Sequence, residues 1–266
     1  MKAPISFAMV VCVVAVALSS ASVAQTTSQV YSGNGNSGFG GVIGTGSLSV
    51  TNNTAGNLVF TLTKGSANFN DALVLYIDSI AGGFIDTLSF NDQADLLRQA
   101  ISGASGGSTG IDANTRSIIS FNNGFTANYA IALDQNFAGL WQLNSGGNNS
   151  LAFVTAANLI PTATATSATY TWNINVTDIG LTANSEQSFA FVGTYLNASN
   201  SFRSNEAIGF SIGSINPGNG GIGSYPNTIA TGEVTFQTVP EPSTYCMALA
   251  GLACAGYLVR RRRKRA

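Results

Sequence analysis

Short segments with the composition of β-strands recur between residues 46 and 238. Segments such as "NLVFTLT" and "SFAFVGTYL" are dominated by β-branched and aromatic residues, and turns rich in Gly, Asn and Ser separate them. About eleven such segments follow one another. The pattern predicts an all-β fold, a single β-sandwich of jelly-roll-like winding over 46–238. The alternative is a β-solenoid, but no fixed period of Gly or Asn supports it.

The first two segments of this region predict a hairpin. "GSLSVT" and "NLVFTLT" alternate apolar and polar residues, and "NNTAG" between them has the composition of a turn. Alternation places every second side chain on one face of a strand. We therefore expect Leu48 and Val50 to face the core together with Leu58, Phe60 and Leu62.

Two other segments depart from this alternation. "ALVLYIDSI", residues 72–80, is a nearly continuous apolar run, which predicts a strand covered on both faces. "NDQADLLRQAIS", residues 91–102, predicts a short helix with Asn91 or Asp92 as its N-cap and Gly103 as its stop. We expect this helix to lie across a sheet edge or to close one end of the sandwich.

The N-terminal residues 1–24 have the layout of a secretory signal peptide. Lys2 precedes an apolar run over residues 7–18, and Ser-x-Ala ends at Ala24, which predicts cleavage by signal peptidase after Ala24. An uncleaved anchor is the alternative, although the run is shorter than the ~20 residues of a membrane span. Residues 25–45, polar and Gly-rich, are predicted to be a flexible lead-in.

The C-terminal segment 239–266 combines a turn motif, an apolar run and a basic end. Residues 244–259 carry no charge and predict a short transmembrane helix. The positive-inside rule places the basic cluster that follows on the cytoplasmic side; its members are Arg260, Arg261, Arg262, Arg263, Lys264 and Arg265. Physical chemistry alone leaves open whether the segment is a plain anchor or a sorting signal.

Without its terminal segments the chain is acidic and lacks cysteine. Residues 26–238 hold four basic and eleven acidic residues, a net charge of −7, which argues against a nucleic-acid partner. The three cysteines all lie in the terminal segments, and the chain has no histidine. Ser-His-Asp and Cys-His catalysis are therefore excluded, as are the usual zinc sites.

Carboxylates are the remaining candidates for site chemistry. Asp78 and Asp134 end strong strand segments, and Asp86 closes the stretch "DSIAGGFID". These three are candidate ligand or calcium residues, because Ca²⁺ binds oxygen ligands. A pair of carboxylates could also serve a glycoside hydrolase, which is a distant alternative. No other cofactor and no further metal ligand is predicted.

Aromatic residues in the strand segments allow two interpretations. Trp141, Trp172 and Tyr129 would stack on sugar rings if they were exposed. An aromatic side chain within a strand more often belongs to the core, and this is the interpretation that we favour.

The C-terminal segment resembles a known signal. "VPEPST", an apolar run and an arginine cluster follow in the order of the PEP-CTERM sorting signal of Gram-negative bacteria, with Pro240, Glu241 and Pro242 as the motif. The resemblance implies processing by exosortase near this motif, passage through a membrane-anchored intermediate, and delivery to the cell surface or extracellular matrix. Proteins with this signal are often associated with exopolysaccharide and biofilm.

A second resemblance concerns the ectodomain. "ALVLYIDSI" followed by "GFTANYAIALD" is similar to carbohydrate-binding and DOMON-like sandwich modules; the matching residues are Tyr76, Asp78, Gly124, Phe125, Ala127, Tyr129, Ala130 and Ile131. Asn128 stands where an aspartate is expected. Taken together, the sequence predicts an exported, non-enzymatic protein with a structural role linked to exopolysaccharide. A carbohydrate-binding module is the alternative.

Overall fold

The computed structural model describes residues 27–53, 56–104, 116–121, 124–159, 164–183, 187–197, 199, 202–209 and 234–238. The predicted signal peptide with Ala24 lies outside the described residues. So do the sorting motif, the apolar run and the basic cluster of segment 239–266. Among the described residues, no helix is both long enough and apolar enough to cross a membrane.

The described chain forms two antiparallel sheets of the predicted all-β class. The smaller sheet has the order β1-β2-β3-β8, and the larger has the order β10-β9-β4-β5-β6-β7, with β11 also paired to β9. The strands are β1 (Thr27–Ser32), β2 (Ser47–Asn52), β3 (Asn57–Thr63), β4 (Ala72–Asp78), β5 (Tyr129–Leu133), β6 (Ala138–Gln142), β7 (Ala152–Ala156), β8 (Thr169–Asn175), β9 (Gln187–Leu196), β10 (Arg203–Ile208) and β11 (Val234–Thr238). A helix, α1 (Leu96–Ser102), and a 3-10 turn (Val176–Ile179) complete the described elements.

Alternating side chains of the two sheets form the first core. The predicted hairpin is confirmed: β2 pairs with β3, and Leu48, Val50, Leu58, Phe60 and Leu62 are all buried. The same cluster includes residues of the larger sheet, so the two sheets face each other across it. The ring of Phe60 also stacks on the indole of Trp172 in β8, with ring centroids 5.6 Å apart. Burial of this apolar area is the main favourable contribution to folding.

A second core covers the other face of the larger sheet. Strand β4 is buried from Ala72 to Ile77, which confirms the prediction of a strand covered on both faces. Its outward side chains, among them Val74 and Tyr76, pack with residues of α1 and of the loops around it. The phenol of Tyr76 donates a hydrogen bond to the carbonyl of Ile101 at 2.7 Å. The helix therefore covers the outer face of the sheet, and the prediction that it lies at an edge or end is wrong.

The helix also begins later than predicted. Its N-cap is Asp95, whose carboxylate accepts a hydrogen bond from the backbone N–H of Arg98 at 2.9 Å. Asp92, one of the two predicted caps, is buried and accepts hydrogen bonds from Leu151 N and from the guanidinium of Arg98. The predicted stop is confirmed, because Gly103 has the left-handed backbone (φ 63°) that favours glycine.

The winding of the strands differs from the predicted jelly-roll. In a jelly-roll two Greek keys distribute the strands over two sheets. Here β4, β5, β6 and β7 follow one another as a meander within the larger sheet. The chain changes sheet between β3 and β4, between β7 and β8, and between β8 and β9. Short loops join β5 to β6 and β6 to β7, which favours pairing of these consecutive strands. β4 pairs with β5 across a long connection that includes α1.

Residues 27–45 are not the flexible lead-in predicted for 25–45. They form β1 and a loop that encloses the buried carboxylate of Glu206 in β10. One carboxylate oxygen accepts from Phe39 N (2.6 Å) and Gly41 N (3.0 Å), and the other from Ile43 N (2.9 Å) and Gly44 N (3.3 Å). Four N–H donors thus replace water around a buried charge, which is the condition for burying it.

Candidate functional site

An open cleft of about 400 Å³ lies where β4 ends. Asp78 is the last residue of β4, and the neighbouring strand β9 brings Ala190 opposite it. The cleft is lined by Asp78, Ser79, Ile80, Ala81, Gly124, Thr126, Ser188, Phe189 and Ala190. One carboxylate, several hydroxyl groups and apolar side chains therefore share a concave surface, as in many ligand sites.

Asn128 fixes the loop that forms one wall of this cleft. Its amide oxygen accepts hydrogen bonds from Ser79 N (3.0 Å) and Ile80 N (3.1 Å), and its amide nitrogen donates to the carbonyl of Gly82 (2.6 Å). The hydroxyl of Ser79 donates to the carbonyl of Ile179 at 2.7 Å, which joins the loop to the turn after β8. An ionised aspartate has no donor for Gly82, so the geometry explains an asparagine at position 128.

The environment of Asp78 disfavours its ionised form. Partial burial raises the pKa of this carboxyl above its ordinary value, while the hydrogen bond from Thr126 N acts in the opposite direction. That bond joins Thr126 N to Oδ2 at 2.9 Å. Asp78 can accept hydrogen bonds from a ligand, and its capacity to do so decreases as pH falls.

The structure does not bring the three predicted carboxylates together. Asp86 accepts a hydrogen bond from Leu88 N (2.8 Å) in its own loop, and Asp134 accepts from Phe137 N (2.9 Å) in the turn after β5. Because β4 and β5 are antiparallel, Asp78 and Asp134 lie at opposite ends of the strands, about 20 Å apart. The described residues contain no group of three or more acidic, His or Cys side chains that could hold a metal ion. Calcium binding stays a prediction of the sequence.

The aromatic residues considered for sugar stacking are core residues. Trp141, Trp172 and Tyr129 are buried, as the favoured interpretation predicted. Among the described residues, the exposed aromatic rings are instead those of Phe137 and Phe153, which the sequence did not single out. Phe153 is exposed because β7 ends the strand order of the larger sheet, and the sequence pattern does not reveal which strand lies at the edge.

Residues of the DOMON-like pattern mostly serve packing. Tyr76, Phe125, Ala127, Tyr129, Ala130 and Ile131 are buried. Asp78 and Gly124 line the cleft, and Gly124 has a positive φ of 82° at an exposed turn. Two of the eight matching positions therefore contribute to the candidate site.

Two buried arginines were also missed by sequence reasoning. Arg116 donates to the carbonyls of Thr87, Phe90 and Ser102, and so orders the loop between β4 and α1. Burial lowers the pKa of its guanidinium. Arg203 of β10 donates to the hydroxyl of Ser117, which lies between α1 and β5, and to that of Thr194 in β9. These contacts stabilise the loops and helix that cover the outer face of the larger sheet. Neither arginine lines the Asp78 cleft.

Fold, cleft and sequence signals define the class: a cysteine-free all-β domain followed at once by a C-terminal sorting segment. Strand β11 ends at Thr238, and residues 238–264 match the family model of the PEP-CTERM protein-sorting motif. The chain therefore carries a PEP-CTERM sorting motif in its C-terminal segment. The motif indicates an exported protein that is anchored in the membrane, sorted by exosortase and then secreted. The comparison with curated proteins found no match, and neither did the comparison with solved structures.

Proposed function

We propose that the mature ectodomain is a non-enzymatic structural protein of the cell surface or extracellular matrix, in contact with exopolysaccharide in a biofilm. The support for this proposal is that most of the carboxylates described so far serve the fold. Glu206, Asp92 and Asp134 each accept hydrogen bonds from backbone N–H groups. These side chains stabilise the fold. Asp78 is the one carboxylate among the described residues that line the cleft, whereas a glycoside hydrolase requires two flanking the scissile bond.

Matrix association can be measured directly. We expect the mature protein to co-sediment with the extracellular polysaccharide of the host and to be released when that polysaccharide is digested by an added enzyme. We expect no new reducing ends when the protein alone is incubated with the purified polysaccharide. Release of reducing ends would favour the hydrolase, and a protein that stays in the supernatant would contradict the matrix role.

Carbohydrate binding by the Asp78 cleft is the second candidate. Its support is the combination of groups in one concavity: a half-buried carboxylate as acceptor, the hydroxyl of exposed Ser188, and the apolar side chain of Ile80. A sugar offers the complementary chemistry, with hydroxyl groups for the carboxylate and C–H faces for the apolar wall. Calcium at Asp78 would add to such a site, since it coordinates oxygen ligands.

Asp78→Asn is expected to weaken binding of the host polysaccharide by about 10- to 100-fold. The reason is the loss of hydrogen bonds to a charged acceptor, each worth about 1.5–3 kcal/mol. Burial raises the pKa of Asp78, so binding by the wild type should decline as pH falls toward the raised pKa, above the ordinary value of about 4. Below that pH the carboxyl is protonated, and the wild type should approach the Asn variant. Calorimetry or a binding isotherm at several pH values measures both effects.

Asp134→Asn is the matched control for this measurement. Asp134 caps a turn at the opposite end of the strands and should leave binding unchanged. Repeating the titration with EDTA separates a calcium-dependent site from a direct one. Equal affinity of the wild type and Asp78→Asn at neutral pH would rule out the cleft as the sugar site.

A further inference from the structure

One edge of the larger sheet exposes large apolar side chains. The strand order ends at β7, and among the described strands β7 pairs with β6 alone. Phe137, next to the start of β6, is 40% exposed, and Phe153 and Val154 of β7 are 49% and 38% exposed. We call these three residues the β7 edge patch. Large apolar side chains exposed together mark an interaction surface more often than an ordinary surface.

The rings of the patch are held by the fold. Phe137 and Phe153 are stacked, with centroids 6.5 Å apart, and Trp141 meets Phe153 edge-on at 5.6 Å. Gly139 lies beneath them: a Cβ there would come within 2.6 Å of the Trp141 indole and 2.8 Å of the Phe137 ring. Glycine therefore makes room for the ring cluster. Side chains already fixed in this way lose little conformational entropy when a partner binds.

Charge distribution limits what the patch can contact. No charged residue occurs between Asp134 and Asp178, a stretch that includes β6, β7 and β8. The surrounding segment 26–238 is strongly acidic, with eleven acidic and four basic residues. Edge strands commonly carry Lys or Pro as protection against pairing, and β7 carries neither. Two acidic domains can therefore approach each other with little repulsion along this edge. The stretch 26–63, which includes β1, is equally free of charge, so a variant in β1 is a suitable control.

A bulge in β7 restricts the geometry of such a contact. The register shifts between Leu140 and Trp141 of β6, so that Val154 of β7 lies between the paired residues Phe153 and Thr155. A bulge interrupts the regular ladder of amides and bends the strand. Pairing of a further strand along the whole of β7 is thereby disfavoured. A contact at this edge must therefore be stabilised by packing of the apolar side chains. Two copies that pack through the same patch about a two-fold axis form a closed dimer.

We propose that the β7 edge patch is the interface between two copies of this chain. The second copy presents the same apolar strand β7, which carries no charge. The carboxylate of Asp134, which accepts a hydrogen bond from Phe137 N, lies beside the patch and not in β7. The proposal concerns assembly, goes beyond the proposed matrix role, and does not depend on a ligand in the Asp78 cleft. Isologous packing brings Phe153 and Val154 of both copies to the centre of the interface.

Sedimentation velocity of the mature secreted protein tests the proposal. The wild type should form a dimer within concentrations up to about 100 μM. Val154→Lys should weaken dimerisation by at least about 30-fold, as expected for a charge at the centre of an apolar interface. Val30→Lys is the matched control, because Val30 is exposed on β1 of the other sheet. A monomeric wild type, or equal weakening by both variants, would overturn the proposal.

Crosslinking gives an independent readout that does not require a destabilising charge. Segment 26–238 has no cysteine, so Val154→Cys, with Cys246→Ser and Cys254→Ser, can form a disulfide only between copies. A disulfide dimer should accumulate under mild oxidation with Val154→Cys and not with Val30→Cys. Equal crosslinking of both variants, or none with Val154→Cys, contradicts the interface. If the wild type is monomeric and Phe153→Ala loses binding to the polysaccharide, the patch is a sugar-binding surface and not a dimer interface.

Discussion

Glu206→Gln is expected to lower the free energy of unfolding by about 3 kcal/mol or more. The wild-type carboxylate accepts hydrogen bonds from the N–H groups of Phe39, Gly41, Ile43 and Gly44. A glutamine places an amide NH₂ opposite two of these donors, so buried N–H groups lose their acceptor and repel the new one. The substitution should therefore release the loop before β2 from β10.

Thermal unfolding of the mature protein measures this effect. A loss of 3 kcal/mol corresponds to a decrease in Tm of about 6–12 °C for a domain of this size. Asp134→Asn is the control, because Asp134 accepts backbone hydrogen bonds in a turn that is partly exposed. It should cost less than about 1 kcal/mol. Similar losses for the two variants would show that the buried carboxylate has no special part in the fold.

Replacement of Pro240, Glu241 and Pro242 by alanine should prevent removal of the C-terminal segment and leave export intact. The family match at residues 238–264 assigns sorting to this segment, whereas export depends on the predicted signal peptide at the other end of the chain. Mass spectrometry of the C-terminal peptide from host membranes and medium measures processing. The variant should keep Arg260–Arg265 and remain with the membrane.

Ser243→Ala, directly after the motif, is the matched control and should be processed like the wild type. A wild-type protein that retains its arginine cluster at its final location would contradict sorting by cleavage. Normal release of the triple-alanine variant would place the processing determinant elsewhere in the segment.

Local sequence patterns predicted the parts of the fold that depend on local physics. Alternation identified the β2–β3 hairpin because one face of each strand is buried and the other is partly exposed. The continuous apolar run identified β4 because both of its faces are covered. Asp95 was missed as the helix cap because Asp92 is an equally good capping residue. The distant contact with Leu151 and the ion pair with Arg98 show that Asp92 is occupied elsewhere.

Long-range contacts account for the predictions that failed. Residues 33–46 look like a linker by composition, yet their order depends on Glu206, more than 160 residues further along the chain. The predicted jelly-roll topology was wrong for a similar reason, because the period of hydrophobic residues identifies strands but not which strands pair. Asp78 could be proposed as a strand-end carboxylate. Thr126 and Ser188, which complete its cleft, come from other strands and loops and carry no signal of their own.

The last strand also determines how the domain is tethered. β11 remains paired with β9 up to Thr238, opposite Gln187, and a single residue separates it from Pro240. One residue spans at most about 3.6 Å. The paired strand therefore reaches to within one residue of the Pro-Glu-Pro motif, and an enzyme that processes this motif must work directly beside the edge of the sheet.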